Sequence, residues 1–296
     1  MRILVTGKNG QLGKSIHKIV NTKIDNNQSS DEFIFAGKEE LDLSSGSNIS
    51  HYFDNNDKLD IIINCAAYTA VDKAEEEVEL ANQINHLAVR QLAEIAKAQK
   101  AKLIQISTDY VFDGKKHGPY KETDATNPIN VYGKTKLAGE WALKEVMPTN
   151  AMIIRTSWLY SEYGNNFVST MLRLGKDRDE LSVVSDQIGS PTYATDLAGA
   201  ILEIIKNEEF KEVSQATQIY HYSSKGEISW YDFAKEIFKI AKIDCKVNPI
   251  TTQQYPTPAK RPKNTTMDKA KIFNKYLINT PSWNQSIKFC KKKNVY

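Results

Sequence analysis

Tyr132 and Lys136 stand four residues apart in Val-Tyr-Gly-Lys-Thr-Lys-Leu-Ala-Gly-Glu, at the opening of a helical stretch, so both side chains fall on one face. A tyrosine, with a pKa of about 10, exchanges protons poorly at neutral pH; a nearby ammonium favours the phenolate and is expected to lower that value. A third group joins them. Thr108 lies in Ser107-Thr108-Asp109-Tyr110, directly after the apolar run Leu103 to Ile106. The carboxyl end of such a buried strand is where open α/β sheets place ligands, and a hydroxyl there can hold a substrate carbonyl. Upstream, Gly7, Gly10 and Gly13 follow Arg2-Ile3-Leu4-Val5-Thr6 and open an amphipathic stretch from Gln11 to about Val20. Strand, tight turn and helix together offer what a dinucleotide diphosphate needs: unusual φ, close backbone approach and unbonded N–H groups at a helix start.

These groups need a scaffold that brings distant segments to one edge. Apolar runs recur at Phe33 to Ala36, Ile61 to Cys65, Leu103 to Ile106 and Met152 to Arg155, and helical patterns separate the later ones. Such alternation predicts an α/β fold, a doubly wound Rossmann-like parallel sheet covered on both faces. The clearest helix is expected over about Ala74 to Lys100, long enough to contain a break. Beyond residue 156 prolines accumulate and short helices replace long ones. The expected division is a dinucleotide-binding domain over 1–155 and a smaller α/β substrate region over 156–296, with some segments returning to the sheet. Thr251 to Thr266 is read as an ordered functional loop.

Glycine turn, hydroxyl, tyrosine and lysine, in that order, resemble the extended short-chain dehydrogenase/reductase family. Longer stretches narrow the resemblance. Ala66 to Glu75 (AAYTAVDKAE), Ser107 to Gly114 (STDYVFDG), Arg155 to Tyr160 (RTSWLY), Asp186 to Thr192 (DQIGSPT) and Arg261 to Asn264 (RPKN) look like the dTDP-4-dehydrorhamnose reductases. The resemblance implies reduction of the C4 ketone of dTDP-4-dehydro-L-rhamnose to dTDP-L-rhamnose. In that reaction NADPH would deliver hydride to C4, Tyr132 would give its proton to the alkoxide, Lys136 would lower the Tyr132 pKa, and Thr108 would hold the carbonyl oxygen.

The same resemblance marks Gly7, Gly10, Gln11, Leu12, Gly13, Asp42, Leu43, Ala66, Ala67 and Tyr68, with Tyr132 and Lys136, as cofactor-binding. Lys38 follows the second strand with no carboxylate before Glu39, which favours NADPH and leaves NADH open. For the substrate it marks Thr108, Asp109, Trp158, Gln187, Ser190, Thr192, Asn264 and Arg261, the last as a fork for the diphosphate. Asn85 is read either as the anchor of a proton-relay water or as an ordinary helix-surface residue. Family members that bind magnesium at a dimer interface carry carboxylates where this chain aligns Ser15 and Thr195, so magnesium is doubtful and a monomer or weak homodimer is expected. Adjacent Asp196 leaves that alignment open. Related dehydratases carry a glutamate where this chain has Tyr110, which disfavours dehydration. Other 4-ketoreductases, epimerases and non-catalytic NADP-binding regulatory subunits remain as alternatives.

Composition removes other classes. The 296 residues are 41% hydrophobic and 25% charged, and 39 Lys+Arg against 36 Asp+Glu leave only +3. No nucleic-acid partner is expected; the basic cluster Lys291 to Lys293 reads as a solvated tail. No apolar stretch is long enough to span a membrane, and Ile3-Leu4-Val5 starts a strand too early for a signal peptide, so a cytoplasmic enzyme with reduced Cys65, Cys245 and Cys290 is expected.

Overall fold

A computed structural model describes residues 1–25, 31–212 and 216–293. At its centre are five parallel strands, β1 (Arg2–Thr6), β2 (Glu32–Ala36), β3 (Ile61–Asn64), β4 (Lys102–Thr108) and β5 (Ala151–Thr156), joined by a sixth, Gln218–His221. Their spatial order is Gln218–His221, β5, β4, β3, β1, β2, so the direction of winding reverses between β1 and β3.

Successive strand side chains point to opposite faces, and both faces are covered, which explains near-continuous apolar runs. Ile3 and Val5 pack with Ile63, Ile104 and Ile154 against α1 (Gln11–Asp25) and the helix Ala194–Ile204. Leu4, Ile62, Leu103 and Ile153 face the other way, toward α2 (Gly46–Asp54), α4 (Ala88–Gln99) and α5 (Val131–Val146). Each fully buried aliphatic side chain contributes about 1.5–3 kcal/mol of transfer free energy.

The helix expected over about 74–100, with room for a break, is four pieces: a 3-10 turn Lys73–Glu75, α3 (Val78–Asn82), a π-helical turn Gln83–Leu87, and α4. The cause is close helix packing. A Cβ on Gly139 of α5 would stand 2.1 Å from the Asn85 carbonyl, so the two segments touch backbone to backbone at the π turn.

Past β5 a second core forms around Tyr160, Tyr193, Phe233 and Phe238. The helices Phe167–Asp177 and Trp230–Ala241 pack together beside a parallel strand pair, Glu180–Val184 with Lys246–Ile250. The segment from Thr251 to Thr266 is ordered, with Ala259 fully buried. The last helix, Trp283–Lys293, ends in the basic cluster, whose side chains at 291–293 lie outside the described residues. Among the described residues, no helix is long and apolar enough to cross a membrane.

Candidate active site

A cleft of about 710 Å³ opens at the carboxyl ends of β1, β3 and β4. An open α/β sheet binds ligands at such a switch point, because adjacent loops diverge there to opposite faces. The turn after β1 forms one wall. Gly7 adopts φ +68, and a Cβ on it would stand 2.9 Å from the Ala66 amide nitrogen. Gly13 lies within α1, where a Cβ would meet the Gly7 carbonyl oxygen at 2.3 Å, so glycine lets the helix start against the turn. The first N–H groups of α1 have no intrahelical partners, which suits a bound diphosphate. Gly7, Gly10, Gln11, Leu12, Lys38, Asp42, Leu43, Ala66 and Ala67 all line the cleft. Lys38 is largely exposed and reaches Asp42 only at 3.9 Å.

The tyrosine and lysine come from α5. Asn130 starts this helix by accepting from Gly133 N–H at 2.7 Å. A Cβ on Gly133 would stand 2.2 Å from the Tyr110 carbonyl oxygen, so the helix abuts the end of β4 and delivers Tyr132 beside Thr108. Thr108 stands beside Tyr132, donates to Asp109 Oδ1 at 3.1 Å and accepts from Tyr110 N–H. The Tyr110 and Tyr132 rings meet edge to face at 5.7 Å.

The electrostatics differ from the expected pairing. Burial pushes the Tyr132 phenol up to about 12; the neighbouring Thr108 hydroxyl opposes that shift and the Asp109 charge adds to it. The Lys136 ammonium is not among the causes of this shift; it donates one N–H to the Ile106 carbonyl oxygen at 2.7 Å. Burial pushes Lys136 down to about 8, against the charge of Glu140. Tyr132 is therefore a loaded phenol at neutral pH, the form that gives a proton away. Asp109 is also displaced: burial raises it to about 7, and its Oδ2 has no hydrogen-bond partner.

Trp158 closes the far side. Its φ of +47 is rare for a bulky residue, and its indole stacks on Trp230 at 3.4 Å and 8°. Glycine at 189 makes the room, since a Cβ there would lie 2.5 Å from the Trp158 ring.

Known proteins match this arrangement end to end. The family model described as RmlD substrate binding domain matches residues 1–295. The dTDP-4-dehydrorhamnose reductase of Aggregatibacter actinomycetemcomitans is 44% identical over 293 residues, covering 97% of each chain. A crystal structure of the dTDP-4-dehydrorhamnose reductase of Clostridium acetobutylicum superposes with a TM-score of 0.90 at 43% identity, covering 99% of each chain. That of Bacillus anthracis, in complex with NADP, gives 0.89 at 39% identity and the same coverage. This chain belongs to the dTDP-4-dehydrorhamnose reductase family.

Several residues marked by resemblance to the dTDP-4-dehydrorhamnose reductases do not line the cleft. Gln187 donates to Thr252 Oγ1 at 3.1 Å, Ser190 to the Gly226 carbonyl oxygen at 2.7 Å, and Thr192 bonds Thr156 at 3.2 Å. Asn264 ties the Lys116 and Gly118 carbonyls to Thr266. Their polar groups hold the substrate region together. Arg261 forks onto the Asp72 carboxylate instead of facing the cleft. Tyr68 turns its hydroxyl to Glu77 at 2.6 Å, outside the cleft lining.

Asn85 is not a surface residue. It is buried and brackets the Tyr68 backbone, accepting from its N–H at 2.9 Å and donating to its carbonyl at 3.1 Å, with a further bond to Thr135. Ser15 donates to the Gln11 carbonyl of its own helix, and Asp196 accepts from Ser286. Among the described residues no three His, Cys, Asp or Glu side chains gather as a metal site.

The sequence reading missed Glu140, which anchors a buried network by accepting from Ser107 and taking both arms of Arg155 at 2.9 and 2.6 Å. Its position four residues after Lys136, on the face shared with Tyr132, was a usable signal. Trp230 and the 164–166 segment, which also line the cleft, carried none.

Proposed function

We propose that the chain is an NADPH-dependent reductase that converts the C4 ketone of dTDP-4-dehydro-L-rhamnose to the alcohol of dTDP-L-rhamnose. The observation that carries this reading is the convergence of Thr108 and a fully protonated Tyr132 at the end of β4, beside a cleft floored by the glycine turn. The glycine turn would hold the diphosphate of the dinucleotide, with Leu43 at its adenine and Lys38 at a 2′-phosphate. Bound NADPH supplies the hydride. Thr108 orients the carbonyl oxygen, and Tyr132 passes its phenolic proton to that oxygen as negative charge develops. Trp158 packs the sugar from the far wall, and Asp109 keeps a polar group beside C4. The chain is taken to act as a monomer or weak homodimer in the cytoplasm.

The test follows NADPH absorbance with dTDP-4-dehydrorhamnose supplied. Steady oxidation is expected, and Tyr132→Phe should lower turnover by about 10²–10⁴-fold while retaining NADPH binding. Wild-type turnover in that variant would overturn the assignment of the proton donor.

A further inference from the structure

Gln11 opens α1 at the glycine turn, yet its side chain is taken up by the segment after β5. Nε2 donates to the Leu159 carbonyl oxygen at 3.2 Å, and Oε1 accepts from Ser161 Oγ at 2.9 Å and Asn166 Nδ2 at 3.0 Å. Asn166 also donates to the Ser161 carbonyl at 2.9 Å and caps the helix Phe167–Asp177. The same segment is fastened further along α1. Lys18 pairs with Glu162 at 3.3 Å, and the amines of Lys14 and Lys18 stand 5.7 and 5.9 Å from the Tyr163 ring centroid.

Starting a helix asks for none of this; a short polar side chain at the cap would serve. The partners sit where they matter for the cleft. Leu159 directly follows Trp158 with its strained φ, and Gly164, Asn165 and Asn166 line the same cleft as Gly7 and Gly10.

We propose that Gln11 is a positioning residue that couples the two halves of the cleft, so that a dinucleotide on the glycine turn and a sugar nucleotide against Trp158 bind cooperatively. The physical route is short. An anion on the N–H groups at the start of α1 fixes the backbone of residue 11 and with it the direction of its side chain. The amide then holds Leu159 and the 161–166 segment, and the indole of Trp158 is set before the second ligand arrives. The cost of ordering that wall falls on whichever ligand binds first, and linkage requires the benefit to be mutual. The proposal rests on the reading of the cleft given above.

Calorimetry tests it without turnover, using NADP⁺ and dTDP as probes. In the wild type each ligand should tighten the other by about fivefold or more, by the same factor in either order. In Gln11→Ala that factor should fall to within about twofold of one, whatever either affinity does alone. Asn166→Ala releases the far end of the same fork, should also lower the factor, and serves if Gln11→Ala does not fold. A purely structural role would lower stability or both affinities and leave the factor intact. That result, or independent binding in the wild type, overturns the proposal. Failure of the wild type to bind NADP⁺ or dTDP at all overturns the functional reading and the coupling with it.

Discussion

The Arg261 guanidinium grips the Asp72 carboxylate at two points, 2.5 and 2.7 Å, across 189 residues of chain. The Ala259 N–H donates to the same carboxylate, and Asn130, the cap of α5, donates to the Lys260 carbonyl. The loop around residues 259–261 is thus fastened both to the segment after β3 and to the helix that carries Tyr132. Chiefly through the Arg261 hydrogen bond, Asp72 is held below the ordinary carboxylate range. Arg261→Lys keeps the charge but loses the planar fork, at an expected cost of about 1–2 kcal/mol in urea unfolding. Combining it with Asp72→Asn should cost less than the sum of the single changes. Strict additivity would show that the two side chains do not act as a pair.

Lys136, which resemblance to the family marks as cofactor-binding, should set an alkaline limit. Its ammonium is lost near pH 8 in the free enzyme, so kcat/KM should fall with a midpoint near 8 and not near 10.5. Because the Glu140 charge holds this value up, Glu140→Gln should move the limb to lower pH. That variant also strands the buried Arg155 and should lose about 3–5 kcal/mol of stability. A profile flat to pH 9.5 would contradict the assignment.

Asp109 should leave its mark on stability. Its carboxyl holds a proton to about pH 7 in the folded chain, whereas the unfolded chain gives it up near 3.8. Between those values the native state binds more protons, so this group's contribution falls as pH rises and reaches its full penalty above 7. Asp109→Asn removes the penalty. Relative to wild type, the variant should gain about 2–3 kcal/mol between pH 5 and pH 8. A difference that does not change over this range would rule out the displaced ionisation.

Gly189→Ala probes the indole wall by sterics alone. The added methyl meets the Trp158 ring at 2.5 Å and must push it off the Trp230 stack. The expected result is a KM for the dTDP-sugar raised about tenfold, with a much smaller change in the KM for NADPH. Equal shifts in both would place Trp158 outside the sugar site.

Legibility in the sequence followed the distance over which each interaction acts. Gly7, Gly10 and Gly13 were readable because turn and helix start lie within seven residues. Tyr132 and Lys136 were readable because one helical turn separates them. The π turn was not, since its cause, Gly139 against Asn85, lies 54 residues away on another helix. Gln187, Ser190 and Asn264 looked like ligand contacts for a related reason. A polar side chain in a motif announces that it needs a partner, while the identity of that partner, Thr252 or a backbone carbonyl, is decided only by folding. Spacing puts the Lys136 ammonium near Tyr132 but cannot show the burial that raises the phenol or the bond from the ammonium to the Ile106 carbonyl.

The strand Gln218–His221 pairs along β5, more than sixty residues after β5 ends. A fragment stopping at residue 155 would leave β5 as a bare edge of unpaired backbone groups, open to association with other chains. The nucleotide-binding half is therefore not a detachable unit. During synthesis on the ribosome its sheet stays unfinished until residue 221 has emerged, while the helix Trp230–Ala241 and the strand Lys246–Ile250 of the second core are still to come.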